Sequence, residues 1–312
     1  MTISPYGIFL MGIQRSNRYR LAWKWSAEMM REKEIADHAA REAGKVVTGL
    51  MGKAGVAEKG LNYNLVTDAD TASEKCIVSI IKQAFPGDAI IGEEGSFCAA
   101  LDADRVWIID PLDGTTNFAH GIPHFSISIA YAERGHVRCG VVLNPVYDEC
   151  FSATAGQGAF RNGVPIRVSA VATLGGSVIG TGFYYERGPI MLRTLDAVRK
   201  LLQANIQGIR RTGSAALDMC YVACGRYDGY FEYRLSAWDF AAGLLILKEA
   251  GGRCTDVDGV ERGVAAKGVF SSNGRIHDAL FGLAGWPSEV PDAAKEAPPA
   301  TVADCDEEVS QK

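Results

Sequence analysis

Acidic side chains stand beside apolar runs at four places in this 312-residue chain. The segments are LVTDAD ending at Asp70, IIGEEG with Glu93 and Glu94, VWIIDPLDGTTNF with Asp110 and Asp113, and SAWDFAAG with Asp239. Hard divalent cations such as Mg²⁺ prefer oxygen ligands, usually a few carboxylates combined with substrate phosphate and water. The four segments therefore indicate a metal site, provided that they meet in the fold.

The segment over residues 106–118 carries the clearest sign of chemistry. A surface turn needs Asp, Pro and Gly, but it does not need a Trp-Ile-Ile run typical of a buried strand or a following Thr-Thr pair. Asp110 at the strand end and Asp113 one turn later can point the same way and share a metal ion. Gly114 and Thr115 begin a predicted helix whose free N–H groups suit a phosphate, and the Thr115 hydroxyl would lie near a metal-bound water.

The charge of these residues favours cations. Together Asp70, Glu93, Asp110, Asp113 and Asp239 would carry −5, and a phosphate monoester adds about −2. On the carboxylates alone, two Mg²⁺ ions would leave about −1 and three would leave about +1. Each segment also has an ordinary explanation, as a helix N-cap, a solvated turn or an acid in a first helical turn. The sequence alone does not show that the segments meet.

Helices and strands alternate between these segments, and the sequence contains no internal repeat. Hydrophobic periodicity predicts helices over residues 31–52, 71–85, 189–204, 213–225 and 238–250, with Asp70 or Thr71 capping the second of them. Strands are predicted at AIIGEE, RVWIID, GSVIGTG and GYFEY, in three runs between residues 125 and 154, and in the Gly-rich hairpin GQGAFRNGVPI. The pattern changes near residue 171.

Composition and the chain ends bound the class of protein. A chain with 47% hydrophobic and 22% charged residues suits one large domain or two packed lobes, and its net charge of −5 predicts no direct nucleic-acid binding. Residues 287–312, rich in Pro, Ala and acids, are predicted to be disordered. Residues 1–28 show no clean period, so they form an extension that is disordered or that precedes a natural start at Met29 or Met30. The domain is placed at 29–286, with lobes 29–171 and 172–286.

The same reading predicts a cytoplasmic protein. No apolar run reaches the length of a membrane span, and no clear signal peptide is present. The eight cysteines lack CxxC spacing and are expected to be buried, reduced thiols. His120 and His124, just past the acidic segment 106–118, are expected to be structural residues or to lie at a pocket rim.

Several of these motifs resemble the inositol monophosphatase family, most closely its bacterial members. WIIDPLDGTTNF is similar to the first family signature and WDFAAG to the second, while NLVTDAD, GEE and RRTGSAALDMCYVACGRYDGYFE follow the family order and spacing. The resemblance covers about residues 31–285. It implies a layered αβαβα sandwich of the sugar-phosphatase fold, a homodimer, and hydrolysis of phosphate monoesters with two or three Mg²⁺ ions and inhibition by Li⁺.

The resemblance also implies roles for single residues. Metal ligands would be four carboxylates and one backbone carbonyl, those of Glu93, Asp110, Asp113, Asp239 and Leu112. The attacking water would be oriented and deprotonated by Asp70 and Thr115, and Glu93 also counts among the catalytic residues. Substrate would be held by the backbone N–H groups of Gly114 and Thr115, by Ala215, by Glu232 and by Asp239. Lys59 matches a family lysine near the site.

The leading prediction is a Mg²⁺-dependent phosphatase that hydrolyses inositol 1-phosphate by in-line attack of a metal-activated water, with no covalent phosphoenzyme. Glu232 favours a small polyol or sugar phosphate, because a carboxylate suits vicinal hydroxyls and repels a second phosphate. Histidinol phosphate is the main rival, since its amine could pair with that carboxylate. Fructose 1,6-bisphosphate, 3′-phosphoadenosine nucleotides and NADP⁺ are substrates of other proteins with this fold.

Two alternatives do not involve catalysis. Some bacterial members of the family bind the transcription machinery, and that role needs no hydrolysis. The complete set of predicted metal ligands favours retained activity but leaves room for such a second role. A Ca²⁺-binding structural module is the other alternative.

Overall fold

The computed structural model describes residues 17–58, 65–95, 100–185 and 187–285. Three expectations from the sequence lie outside these residues. They are the disorder predicted for 287–312, the character of residues 1–16, and the placement of Lys59.

Within the described residues the chain forms seven α-helices. They are α1 Asn17–Leu50, α2 Asp68–Ala84, α3 Thr115–Ala119, α4 Pro189–Gln203, α5 Ala215–Ala223, α6 Ala237–Glu249 and α7 His277–Ala284.

The same residues contain fourteen β-strands. They are β1 Val56–Glu58, β2 Leu65–Thr67, β3 Ala89–Gly92, β4 Val106–Asp113, β5 Ser126–Glu133, β6 His136–Asn144, β7 Glu149–Thr154, β8 Ala159–Arg161, β9 Val164–Ile166, β10 Val178–Thr181, β11 Gly208–Arg210, β12 Gly229–Glu232, β13 Arg253–Thr255 and β14 Val269–Ser272.

The starts of α1 and α2 differ most from the sequence prediction. Helix α1 begins at Asn17 rather than at residue 31, because residues 17–30 contain no Pro or Gly and many good helix formers, so nothing stops the helix there. Helix α2 begins at Asp68, and its N-cap is Thr67 rather than Asp70 or Thr71. The Thr67 hydroxyl accepts from the N–H of Ala69, and the Asp70 carboxylate reaches back to the N–H of Thr67, which forms a capping box.

The strands form two large sheets and one small ribbon. The seven-stranded sheet has the order β3-β4-β5-β6-β7-β8-β9, and all its neighbours are antiparallel except the parallel pair β3 and β4. The five-stranded sheet has the order β11-β10-β12-β14-β13, with β10 parallel to both β11 and β12. Strands β1 and β2 pair antiparallel beside the start of α2.

Alternation along the strands sorts the core into layers. In β4, Trp107 and Ile109 pack against α1 and α2, whereas Val106 and Ile108 pack against α5 and α6 on the other face. The opposite side of the α5–α6 layer contacts the five-stranded sheet, whose far face packs on α4 and α7. This order of layers confirms the predicted αβαβα sandwich, and α5 and α6 form the layer that the two sheets share.

No helix in the described parts of the chain is both long enough and apolar enough to span a membrane.

Candidate active site

A bulge at the end of β4 brings Asp110 and Asp113 to the same side of the sheet. Asp110 pairs with Ser128 of β5 and Asp113 with Ser126, so β4 has one residue more than its partner between these pairs. Residues three apart in a regular strand point to opposite faces, and one extra residue reverses that. Pro111 lies in the bulge. The ladder to β5 is interrupted there, so the lack of an N–H on Pro111 costs no ladder hydrogen bond. Both carboxylates therefore face the layer of α5 and α6.

The Asp113 carboxylate lies at the N-terminus of α5. It accepts hydrogen bonds from the hydroxyl of Ser214, which is the N-cap, and from the N–H groups of Ala215 at 3.2 Å and Ala216 at 2.9 Å. Burial raises the pKa of Asp113 to about 6, although these hydrogen bonds favour its charged form. The free N–H groups of the helix thus hold a buried carboxylate at a fixed position.

The capping box of α2 positions Asp70 beside the bulge. One carboxylate oxygen of Asp70 accepts from the N–H of Thr67 at 2.7 Å, and the other lies 3.0 Å from the hydroxyl of Thr115. The same hydroxyl lies 3.1 Å from the carbonyl oxygen of Leu112. Asp70 is only 1% exposed. The structure therefore brings Asp70, Thr115 and the Leu112 carbonyl together at one point.

Asp239 reaches the same region from α6. Ser236 and Asp239 form a second capping box, in which the Asp239 carboxylate accepts from the N–H of Ser236 at 2.6 Å. Burial raises the pKa of Asp239 well above its usual range, and the charges of Glu93 and Asp113 raise it further. Glu93 follows the end of β3, the strand next to β4.

Asp110 lies among the other acids. It is 1% exposed, and its carboxylate accepts from the N–H of Leu112 at 3.0 Å. Burial is the main cause that raises the pKa of Asp110 well above its usual range. The negative charges of Glu93, Asp113 and Asp239 raise this pKa further. Glu93, Asp110, Asp113 and Asp239, which come from three separate segments of the sequence, are therefore close enough in the fold for their charges to act on one another.

A cavity of about 280 Å³ opens beside this cluster. Most of the predicted site residues line it: Glu93, Asp113, Gly114, Thr115, Ala215, Glu232 and Asp239. Asp70, Asp110 and Leu112 are not part of its wall, but they are joined to it by the hydrogen bonds of Thr115 and by the Asp110–Asp113 bulge. Lys59 lies outside the described residues.

Glu232 is fixed on the far wall of this cavity. Tyr230 lies two residues earlier on the same face of β12 and donates its hydroxyl to the Glu232 carboxylate at 2.5 Å. A Cβ atom on Gly182 would lie only 1.9 Å from the same carboxylate, so this position must remain glycine for Glu232 to keep its place. Burial raises the pKa of Glu232 to about 7, while the Tyr230 hydrogen bond and Arg211 favour its charged form.

The donor atoms suit a hard cation, although the carboxylates do not form a closed cage. No group of three or more His, Cys, Asp or Glu side chains in the described parts of the chain is arranged to hold a metal ion. The oxygen donors at the site are the buried carboxylates of Asp110 and Asp113, the partly exposed carboxylates of Glu93 and Asp239, and the Leu112 carbonyl. Carboxylate and carbonyl oxygens are the groups that Mg²⁺ prefers. Like charges in this cluster repel each other, and a divalent cation would offset that repulsion. The residues therefore fit Mg²⁺ in charge and in chemistry.

The sequence reasoning missed one wall of the cavity. Tyr184, Tyr185 and Arg211 line it, as do Gly182, Arg234 and Trp238. The Arg234 guanidinium lies 5.2 Å from the centre of the Tyr184 ring, and the ring of Tyr185 lies 5.9 Å from that of Tyr184. The one sequence feature that could have indicated this wall is the pair of tyrosines that follows the end of β10. A loop has no periodicity, however, so the sequence does not indicate where those side chains point.

His120 and His124 stand apart from this chemistry. His120 ends α3 as its C-cap, and the ring of His124 packs at 5.7 Å against Tyr221. Burial lowers the pKa of His124. The cysteines of the described residues, Cys76, Cys139, Cys150, Cys220, Cys224 and Cys254, are free thiols. Three of them are buried and three are partly buried.

The chain is similar to known proteins over most of its length. A sequence model of the inositol monophosphatase family matches residues 29–284. The chain belongs to the inositol monophosphatase family. This family is of the phosphatase type and is generally Mg²⁺-dependent.

Relatives of this family member carry two kinds of name. A Pseudomonas aeruginosa protein named Nus factor SuhB is 42% identical over 254 residues, which cover 79% of this chain and 93% of that protein. A crystal structure of the extragenic suppressor protein suhB from Bartonella henselae superposes with a TM-score of 0.76 at 38% identity, over 82% of this chain and 98% of that one. An inositol monophosphatase from Anabaena superposes with a TM-score of 0.72 at 38% identity, over 86% and 100%. One kind of name refers to a Nus factor or suppressor protein, and the other refers to a phosphatase.

Proposed function

We propose that this chain is a Mg²⁺-dependent phosphoric monoester hydrolase that converts inositol 1-phosphate and water into inositol and phosphate. The observation that carries the proposal is the cavity in which the Asp110–Asp113 bulge, the start of α3 and Glu232 meet. One side of that cavity is acidic and suits cations with a phosphate, and the other presents a carboxylate that suits hydroxyl groups.

The metal ions would be held by oxygen donors of the acid cluster. These are the carboxylates of Glu93, Asp110, Asp113 and Asp239 and the backbone carbonyl of Leu112. When bound, two or three Mg²⁺ ions lower the pKa of a coordinated water and offset the negative charge of the phosphoryl oxygens. The buried position of Asp110 strengthens these electrostatic effects, because the surrounding protein screens charge less than water does.

Asp70 and Thr115 activate the attacking water in this proposal. The Thr115 hydroxyl lies 3.0 Å from an Asp70 oxygen, so a water beside Thr115 can pass a proton through this hydroxyl to Asp70. The water oxygen then forms a bond to phosphorus while the bond from phosphorus to the inositol oxygen breaks on the opposite side. The departing oxygen takes up a proton from solvent or from a neighbouring acid.

Gly114 and Thr115 contact the phosphate through their backbone N–H groups. Gly114 has a φ of 96°, a conformation that favours glycine, and a Cβ atom there would lie 3.0 Å from the carbonyl oxygen of Gly213. The turn into α3 therefore brings its N–H groups close to the cavity wall with no side chain between them. Asp239 adds a contact to the substrate hydroxyl nearest the phosphate.

Glu232 selects the alcohol part of the substrate. Its carboxylate accepts hydrogen bonds from vicinal hydroxyl groups and repels a second phosphate, while Ala215 leaves room beside it. Histidinol phosphate remains the main rival substrate because its amine could pair with Glu232. Fructose 1,6-bisphosphate and 3′-phosphoadenosine nucleotides carry the second phosphate that Glu232 disfavours.

A panel of phosphate-release assays tests this proposal. Purified protein is incubated with Mg²⁺, with and without Li⁺, and with inositol 1-phosphate, histidinol phosphate, fructose 1,6-bisphosphate, 3′-phosphoadenosine 5′-phosphate or NADP⁺. We expect the highest kcat/KM for inositol 1-phosphate and inhibition by Li⁺. A higher value for histidinol phosphate would assign the site to the rival substrate, and no release from any ester would reject the phosphatase.

A transcription-associated role is the second candidate, favoured by the name Nus factor SuhB of the Pseudomonas aeruginosa relative. We propose that such a role would be carried by a cytoplasmic homodimer and would not need hydrolysis. Copurification of transcription proteins with both the natural chain and an Asp110→Asn variant would support it. Loss of that copurification in the variant would tie the partner to the active site instead.

A further inference from the structure

Three polar side chains on one face of α2 contact three different parts of the candidate site, which are the start of α3, the bulge in β4 and the turn after β3. Asp70, Ser73 and Glu74 stand at positions i, i+3 and i+4, so they lie on the same side of the helix. Asp70 contacts Thr115, the Ser73 hydroxyl donates to the carbonyl of Pro111 at 2.7 Å, and Glu74 accepts from the N–H of Glu94 at 3.0 Å. The proposed function uses only the first of these contacts.

Glu74 is a buried acid with an incomplete set of hydrogen-bond partners. Glu74 is 1% exposed, and its second carboxylate oxygen has no hydrogen-bond partner among the described residues. Burying a charged group with incomplete partners opposes folding, so such a group calls for an explanation. Glu74 also lies against the backbone of Gly92, where a Cβ atom would come within 2.4 Å of its carboxylate. The end of β3 is therefore shaped to let Glu74 reach the turn that holds Glu93 and Glu94.

The contact of Ser73 fixes the other ligand-bearing segment. Pro111 lies in the bulge between Asp110 and Asp113, where the regular ladder to β5 is interrupted. The hydrogen bond from the buried Ser73 hydroxyl to the Pro111 carbonyl replaces part of the lost ladder. A single rigid helix thus contacts both the turn after β3 and the bulge in β4.

We propose that Ser73 and Glu74 are positioning residues that set the spacing between Glu93 and the Asp110–Asp113 bulge, and thereby the affinity of the site for divalent cations. This inference rests on the metal-ligand part of the proposed function. Residues that orient metal ligands typically change metal affinity by about 10- to 100-fold when they are replaced. A purely structural role predicts lower stability with unchanged affinity.

Calorimetric titration of the metal-free, full-length protein with Mg²⁺, and with Mn²⁺ as a second probe, tests the inference. For Glu74→Ala we expect a Kd about 10- to 100-fold higher than that of the unchanged protein, and for Ser73→Ala a Kd about tenfold higher. Glu74→Gln should lie between Glu74→Ala and the unchanged protein, because its amide oxygen can still accept from the N–H of Glu94. For each variant, kcat should recover at saturating Mg²⁺.

Asp88→Asn is the matched control. Asp88 is also a buried acid near α2, but it accepts hydrogen bonds from Arg105 and Trp107 and lies at the opposite end of β3 from Glu93. We expect this variant to lower the melting temperature while leaving the Kd for Mg²⁺ unchanged. Comparison with Glu74→Ala then separates loss of stability from loss of metal affinity.

The outcomes distinguish the inference from the proposed function. An unchanged Kd in Glu74→Ala would overturn the inference, and if that variant does not fold, unchanged Kd values in both Glu74→Gln and Ser73→Ala would do the same. Metal binding by the unchanged protein without phosphate release would reject the phosphatase but leave the inference standing. An unchanged protein that binds neither cation would overturn both.

Discussion

The two sides of the cavity are built in different ways. The acidic side comes from the turn after β3, the end of β4 and the starts of α2 and α6, whose carboxylates are held by backbone N–H groups, hydroxyls and capping boxes. The opposite side comes from the loop after β10, the segment before α5 and the end of β12, where side chains such as Tyr185, Arg211 and Glu232 form the wall. The first side has a geometry set by the backbone, whereas the second can change by substitution without disturbing a sheet. We infer that the acidic side performs the reaction and that the opposite side selects the substrate.

Asp110→Asn is the strongest test of the role of the acidic side in the reaction. The substitution keeps the shape of the side chain and its hydrogen bond from Leu112, but it removes a charge from the acid cluster. We expect kcat/KM to fall about 10³-fold or more for every substrate, which corresponds to about 4 kcal/mol of transition-state stabilisation. Steady-state phosphate release measures the loss, and circular dichroism checks the fold. Activity within about tenfold of the unchanged protein would contradict the role of Asp110.

Glu232→Gln should separate the two sides. We expect kcat/KM for inositol 1-phosphate to fall by about 10- to 100-fold, the range for losing a hydrogen bond to a charged group. An aryl phosphate has no hydroxyls for Glu232 to accept from, so its turnover should change much less. Equal losses on both substrates would show that Glu232 does not act on the alcohol part.

Tyr230→Phe should give a smaller effect of the same kind. It removes the hydroxyl that donates to Glu232 at 2.5 Å and leaves the ring in the core. We expect KM for inositol 1-phosphate to rise about threefold to tenfold with little change in kcat, since one neutral donor contributes about 1 kcal/mol. Ser271→Ala is a control, because it removes a buried hydroxyl that donates to the backbone carbonyl of Tyr230 but leaves the Tyr230 hydroxyl in place. A fall in kcat with unchanged KM would place Tyr230 on the acidic side instead.

The smallest expected effect is a pH dependence of stability. Burial raises the pKa of Glu232 to about 7, above the value of about 4.5 expected in the unfolded chain. A raised acid pKa means that the folded protein binds the proton more tightly, so the contribution of Glu232 to stability is lost as pH rises from about 4.5 through about 7. The melting temperature of metal-free Glu232→Gln, relative to the unchanged protein, should therefore be higher by about 2 to 5 °C at pH 8 than at pH 5. A difference that does not vary with pH would refute this assignment.

The acidic side was largely readable from the sequence. Strand β4, the start of α3 and the order of the acidic segments follow from an apolar run, a glycine and capping residues, which are local signals. The bulge itself could not be predicted, because Pro111 indicates an irregular strand but not which way the following side chains point. The start of α1 at Asn17 was missed because the residues before 31 have helical composition without a clear apolar stripe.

The opposite side was readable only in part. Glu232 could be placed by its distance from Asp239 in the family pattern, and Tyr230 could be added by strand alternation. Tyr185 and Arg211 lie in connections whose direction depends on tertiary packing, so no local pattern indicates that they face Glu232. Gly182 could not be predicted either. Its lack of a side chain matters because the Glu232 carboxylate lies where a Cβ atom would be, and only the fold shows that contact.

We propose that the acid cluster is the centre of a metal-dependent phosphatase. Phosphate release from inositol 1-phosphate, measured on metal-free protein before and after addition of Mg²⁺, tests it most directly. We expect no release without a divalent cation and full turnover with Mg²⁺, and the Asp110→Asn variant should fail to support that turnover. Release that is independent of Mg²⁺, or equal in the Asp110→Asn variant, would contradict this proposal.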